Sequence, residues 1–302
     1  MKKQTLRADD IRIGYEIWAR PDLDIYGLYE ELRASSTHTN AAAWKAFSAI
    51  WERVSSASLL GEAKAFCIYQ LASQVSGVRG DMIEFGVYRG GLSFMLGLMQ
   101  EQAASSKTIV MCDNFDAGLP RPNREIDLAY AQGAMAWPVA EVKSLRRRLN
   151  LSKRCVLAPG LFSKTLRALP PTQRFSFAHV DCDLHAGTRQ ALQYVFPRLS
   201  AGAPLVIDDY YDESGGVMRA VNEFASEHEI LIHVGVFGQA YLIKDESISG
   251  VKPSVIGQHR VFLTADAARN GPLFLKYLRA VATRKAARLK QLDRFIEWCD
   301  CC

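Results

Sequence analysis

The chain has 302 residues, of which 49% are hydrophobic, 23% charged and 10% aromatic, enough apolar material to bury one large or two small cores. That balance excludes a disordered, collagen-like or disulfide-scaffold chain. The formal net charge of +5, from 37 basic and 32 acidic residues, is too mild for a dedicated nucleic-acid binder. In chain order, residues 1–33 mix charges with Tyr15, Trp18, Tyr26 and Tyr29 and predict a short helical region without the apolar core of a signal peptide. After a polar break at 34–40, residues 41–75 carry helical spacing twice. The first set is Trp44, Phe47, Ile50 and Trp51; the second is Leu60, Ala63, Cys67 and Leu71. Strands are predicted at 81–87, 108–115, 155–158, 175–183 and 203–210, with a closing pair at 230–237 and 240–245. Helices at 92–99, 139–149, 187–199 and 217–227 lie between them, and residues 116–137 are irregular. A last helix at 269–298 presents Phe274, Leu278, Val281, Leu289, Leu292 and Ile296 on one stripe, interrupted by Lys285. The expected organisation is a helical region or lid over 1–75, a core over 76–248 and a basic helical tail over 249–302. No apolar run is long enough to span a membrane. The seven cysteines make a poor disulfide framework, and a cytoplasmic protein is expected.

Strands that alternate with helices imply βαβ units and a mostly parallel sheet. A closing hairpin makes the last strand antiparallel to its neighbour. This is the expected pattern of an α/β class I methyltransferase: a Rossmann-like, seven-stranded sheet with helices on both faces and extra helices at each terminus. Three constellations carry chemistry. Glu84-Phe85-Gly86-Val87-Tyr88-Arg89-Gly90-Gly91-Leu92-Ser93 ends the first strand, where glycines permit a sharp turn and close approach of a ligand. Its spacing is not the G-x-G-x-x-G dinucleotide fingerprint. Glu84 would repel a pyrophosphate and attract an ammonium, which favours a cofactor bearing an amino acid. Asp113, at the end of the second strand, suits the vicinal hydroxyls of a ribose or the cap of a turn. Asp181-x-Asp183 and Asp208-Asp209 fall at two further strand ends. Carboxylates gathered there would repel one another unless a cation joined them, and an all-oxygen set suits Mg²⁺, Mn²⁺ or Ca²⁺. Helix capping by Asp183, Asp209 or Asp212 is the competing account. His179 reads as a packed core histidine, and His185 as a residue able to face the site.

The blocks EFGVYRGGLS, CDNFDAGLP, HVDCDLHAGTRQAL and FPRLSAGAPLVIDDYYDESGGVMRAV, in this order over roughly 60–245, resemble the macrocin O-methyltransferase family. The resemblance implies an enzyme that uses S-adenosylmethionine and Mg²⁺ to methylate hydroxyls, often of sugars on natural products. By position, Glu84, Gly86, Val87, Tyr88 and Ser93 would hold the methionine part of the cofactor and Asp113 its ribose. Asn114 and Phe115 would wall the nucleoside, and Gly160, Phe162 and Ser163 would lie near the adenine. Asp181 would border the cofactor and, with Asp208 and Asp209, ligate the metal. Asp183 or His185 would take the acceptor's proton. Two departures stand out: His185 where the family usually has Tyr, and Ala201-Gly202-Ala203-Pro204 where it usually reads Pro-Gly-Gly.

Acceptor choice is expected from residues 116–137, where Tyr130, Met135 and Trp137 would either wall an apolar aglycone or pack the loop down. The expected partner is a small-molecule or glycoside acceptor, with no nucleic acid and a homo-oligomer through the terminal helices. The competing functions are a glycosyltransferase that grips a nucleotide sugar through Asp181-x-Asp183, and a non-catalytic, methyltransferase-like binding protein. Residues 259–302 hold nine basic and four acidic side chains, so residues 1–258 are neutral and the surplus belongs to the tail.

Overall fold

A computed structural model describes residues 39–128, 130–211, 216–234 and 238–244. The helical region predicted over 1–33, Asp212, the helix predicted over 269–298 and the terminal cysteines lie outside the described residues. Helices α1 (Thr39–Trp51) and α2 (Glu62–Gln74) come first. Strand β1 (Asp81–Phe85), helix α3 (Gly91–Gln102) and strand β2 (Ile109–Asp113) follow, and then α4 (Val139–Arg148) and β3 (Cys155–Pro159). The second half runs α5 (Phe162–Ala168), β4 (Phe175–Val180), α6 (His185–Val195), β5 (Pro204–Ile207) and α7 (Val217–His228), then β6 (His233–Val234) and β7 (Ala240–Ile243). The seven strands form one sheet in the order β3-β2-β1-β4-β5-β7-β6. β1 to β5 are parallel, and β7 runs antiparallel to both β5 and β6. The expected class I methyltransferase sheet is therefore present, antiparallel last strand included.

Burial explains the apolar runs. Every residue of β4, FSFAHV, is buried, as a central strand covered on both faces requires. Helix α3 is buried from Gly91 through Gln100, which is why its sequence is apolar all round rather than striped. It is enclosed by the sheet on one side and by α1 and α2 on the other. Phe47, Ile50, Trp51, Phe66 and Tyr69 share one core cluster with Phe94, Met95 and Met111. The two helical sets predicted over 41–75 are thus separate helices, parted by a 3-10 turn at Ser55–Ala57.

The chain order fixes where a ligand fits. The strands run outward from β1 to β3 and then return to β4, beside β1. That reversal opens a crevice at the C-terminal ends of β1 and β4, the usual binding position in an open α/β sheet. Four predicted strands end earlier than their apolar runs suggest. β1 stops at Phe85 because Gly86 takes φ +82°, and β2 gives way past Asp113 to a turn with Phe115 at φ +40°. β4 and β5 stop at Val180 and Ile207, just before Asp181 and Asp208. The predicted strand at 230–237 is seen only as His233–Val234, with 235–237 outside the described residues. The predicted helix at 187–199 is α6 followed by a 3-10 turn at Phe196–Arg198 that contains Pro197, which has no backbone donor to continue an α-helix.

Candidate active site

Sheet register sets the site in one row. Phe85 pairs with Cys112 on one side and with Val180 on the other, and Val180 pairs with Ile207. One residue further along each strand stand Asp113, Gly86, Asp181 and Asp208. Their order across the sheet follows from the strand order alone. The ladder continues past the strand ends: the Gly86 N–H donates to the Cys112 carbonyl at 2.9 Å, Asp181 to Phe85 at 2.8 Å and Asp208 to Val180 at 2.9 Å. Gly86 must be glycine, because a Cβ there would lie 1.6 Å from the Asp181 carbonyl oxygen.

Above this row lies a cavity of about 790 Å³, the size of a small-molecule site. Glu84, Gly86, Val87, Tyr88, Asp113, Asn114, Gly160, Phe162 and Ser163 all line it, together with Asp181, Asp183, Asp208 and Asp209. Three predicted residues are placed elsewhere. Ser93 is fully buried and donates its hydroxyl to Glu84 Oε2. Phe115 is buried, and its carbonyl accepts from Trp137 N–H at 3.0 Å. The His185 ring turns to helix α7, with Nε2 2.8 Å from Glu223 Oε2. His179 is fully buried, as a core histidine would be, with Nδ1 3.4 Å from Glu84 Oε1.

Asp113 acts first on its own fold. Its Oδ2 accepts the N–H groups of Val87 at 2.6 Å and Tyr88 at 2.8 Å, and its Oδ1 accepts that of Phe115 at 2.7 Å. The turn after β1 is thereby clasped to the end of β2. The Asn114 backbone N–H bonds the same carboxylate, so the chain itself meets its about four acceptor positions, and a ligand hydroxyl would share an oxygen with a backbone donor. Burial raises the Asp113 pKa above the usual carboxylate value, outweighing those backbone donors.

The acidic cluster occupies the other half of the row. Asp181, Asp208 and Asp209 each bring a carboxylate oxygen to within 4.8 Å of the others. Burial, and then repulsion from Asp208, Asp209 and Asp183, pushes the Asp181 pKa well above 3.8. Asp208 is only 4% exposed. Its Oδ1 accepts from the buried Gln239 side chain at 3.0 Å, and its Oδ2 from Lys64 Nζ at 2.9 Å. Burial lowers the Lys64 pKa, but Asp208 and Asp209 more than reverse that, so the amine stays charged. An all-oxygen set with a cation already lying across it fits a hard divalent ion. Helix capping does not explain these acids. The N-cap of α6 is Leu184 and that of α7 is Gly216, and Asp183 and Asp209 fill neither position.

Several lining residues were not anticipated from the sequence. Segment 58–64, which leads into α2, walls one side of the cavity. Lys64 is the only basic residue of α2, and a lone cation in an apolar helix was the signal available. From the 116–137 excursion, where a wall was expected, Tyr130 and Met135 do line the cavity, joined by residues 118–121 and Asp127. The excursion that carries them is tied at its base by Leu119 N–H to the Ala134 carbonyl at 2.7 Å and Gly133 N–H to the Leu119 carbonyl at 2.8 Å. The buried Asp127 accepts the His185 N–H at 2.8 Å and so caps α6 from a distant loop. Trp137 does not line the cavity; it packs under the Arg89 guanidinium, 3.6 Å from the ring centroid.

Comparison with known proteins agrees with this geometry. The chain is similar to the 8-demethyl-8-(2,3-dimethoxy-alpha-L-rhamnosyl)-tetracenomycin-C 4'-O-methyltransferase of Streptomyces olivaceus, with 35% identity over 143 residues, covering 44% of this chain and 54% of the relative. It is also similar to mycinamicin III 3''-O-methyltransferase of Micromonospora griseorubida, with 28% identity over 166 residues, covering 51% and 63%. The match therefore spans roughly half to two thirds of these curated relatives. Among solved structures, the O-methyltransferase NovP matches with a TM-score of 0.57 at 23% identity, over 63% of this chain and 83% of that one. The calicheamicin methyltransferase CalS11 matches with a TM-score of 0.56 at 19% identity, over 80% and 97%. The family model for macrocin-O-methyltransferase (TylF) matches residues 36–240. With about two thirds of its length inside that match, the chain belongs to the macrocin O-methyltransferase family.

Proposed function

We propose that the protein transfers a methyl group from S-adenosylmethionine to a hydroxyl of a sugar or glycosylated natural product, assisted by a divalent cation at Asp181, Asp208 and Asp209. The observation that carries this reading is the register row. It brings Asp113, a glycine turn and the acids Asp181 and Asp208 to one cavity, and three acids close together (with Asp209) support a cation there. Glu84 lines that cavity beside the turn and suits the ammonium of the cofactor's amino acid. Asp113 lines the same cavity and would meet a ribose hydroxyl by sharing an oxygen with one of its backbone donors. Gly160, Phe162 and Ser163, at the start of α5, form the nucleoside end.

Methyl transfer is an in-line displacement: the sulfur–methyl bond breaks with its electrons left on sulfur, an oxygen–methyl bond forms, and the acceptor hydroxyl loses its proton. The products are S-adenosylhomocysteine and a methyl ether. A bound divalent cation supplies Lewis-acid stabilisation to the oxygen as it develops charge. The chain's own task is to align the reactants and receive the proton. Asp183 is the base in this proposal. It lines the cavity two residues past Asp181, while the His185 ring is engaged by Glu223. Residues 58–64 and the 118–135 excursion flank the acceptor space. The printed name of one relative, a rhamnosyl-tetracenomycin methyltransferase, supports a sugar acceptor. A glycosyltransferase would use the same Asp-x-Asp but has no use for Glu84 at the glycine turn.

The test is Asp208→Asn, assayed for turnover and for S-adenosylhomocysteine affinity by calorimetry. Turnover should fall by about a hundredfold or more, the scale of losing one electrostatic contributor to the transition state, while affinity stays within a few-fold. Undiminished turnover would remove the acid cluster from the reaction.

A further inference from the structure

Helix α2 places a cation in the acid cluster that the methyl-transfer chemistry does not require. Lys64 Nζ lies 2.9 Å from Asp208 Oδ2 and 2.9 Å from Asp209 Oδ1, a bridge between adjacent carboxylates. Gln239 Nε2 holds the other Asp208 oxygen at 3.0 Å. Asp208 therefore has Oδ2 to offer a metal, and Lys64 holds it. An ammonium and a dication on the same oxygens would stand a few ångströms apart in a partly buried site, where like charges repel strongly. Lys64 itself has a way out: its side chain is 16% exposed, and the lysine stem is long and flexible.

Resting on the cation site proposed above, we infer that Lys64 is a built-in competitor for the divalent ion. It bridges Asp208 and Asp209 in the metal-free protein and is displaced when the ion binds. One charge holds the acids together before loading and a stronger one replaces it. Since Lys64 closes the 58–64 wall of the cavity, loading also releases that wall from the acid cluster. The opposite role, a lysine that supports the site with the metal in place, makes the opposite prediction for its removal.

The experiment measures Mn²⁺ binding to the full chain by electron paramagnetic resonance, for the wild type, Lys64→Met and Lys64→Arg. Met keeps most of the stem and removes the charge. Lys64→Met should bind Mn²⁺ about tenfold tighter, melt lower than the wild type in EDTA, and gain more from added Mg²⁺. Lys64→Arg should bind no tighter than the wild type. A second measurement needs no variant: labelling of Lys64 in the wild type by an amine-reactive reagent, read by mass spectrometry, should accelerate when Mg²⁺ is added. If Lys64→Met does not fold in EDTA, this labelling decides alone. Weaker or unchanged Mn²⁺ binding in Lys64→Met, or labelling indifferent to Mg²⁺, overturns the competitor role while leaving the metal site standing. Absence of Mn²⁺ binding in both wild type and Lys64→Met overturns the metal site and this inference together.

Discussion

Tyr88, Phe115, Asp183 and Asp209 have positive φ values of 53°, 40°, 58° and 50°. Each sits just past the end of β1, β2, β4 or β5. The left-handed region is costly for side chains other than glycine, asparagine or aspartate, and such strain collects where function demands a particular geometry. At Asp183 and Asp209 the kink follows directly on the acids of the row. The raised pKa of Asp181 has consequences of definite sign. A metal needs the carboxylate, so binding must expel a proton at any pH below that raised value. Cation affinity should weaken by about tenfold for each pH unit below it and level off above it. Calorimetry in two buffers of different ionisation enthalpy would reveal the released proton; heats independent of buffer at low pH would contradict the shift. In the metal-free protein the same shift opposes stability. The folded chain keeps a proton that the unfolded chain loses near pH 3.8, so stability falls as pH rises from there to the raised pKa and is not regained above it.

Among the elements, the strand ends matter most. Gly86→Ala should be severely destabilising, by roughly 3 kcal/mol or more, because its Cβ would collide with the Asp181 backbone while φ stays positive. Chemical denaturation would measure this, and a near-wild-type midpoint would refute the close approach of β1 to β4. The sheet was legible in the sequence because β1, β2, β4 and β5 are short, mostly apolar runs separated by helical spacing. Their ends were not. VDCD and VIDDY continue the alternating rhythm past the last residues of β4 and β5, so periodicity alone carries the strand through the acids. Helix α5 was missed because its seven residues, FSKTLRA, are too few to display a periodic face. The acids themselves were legible, since clustered carboxylates at strand ends are a chemical signal. Lys64 and Asp127 were not, because their roles arise from contacts spanning 144 and 58 residues of chain. No local pattern encodes such pairs.

At the scale of the whole molecule, the chain separates its charges. Residues 1–258 are neutral overall and the +5 belongs to 259–302, beyond the described residues. Within the neutral part, acids are concentrated at one edge of the sheet, where the cavity opens. Among the described residues no helix is long and apolar enough to cross a membrane. The fold, the family match and the cavity together support one account: a methyl donor held by β1, β2 and β3 ends, and an acceptor activated at the β4 and β5 ends. The most direct measurement of that account is S-adenosylhomocysteine formation from S-adenosylmethionine across a panel of glycosylated natural products, with Mg²⁺ and with EDTA. The account predicts product carrying a new methyl ether on a sugar, formed with Mg²⁺ and lost in EDTA by about a hundredfold or more. Methylation proceeding equally well in EDTA would contradict it.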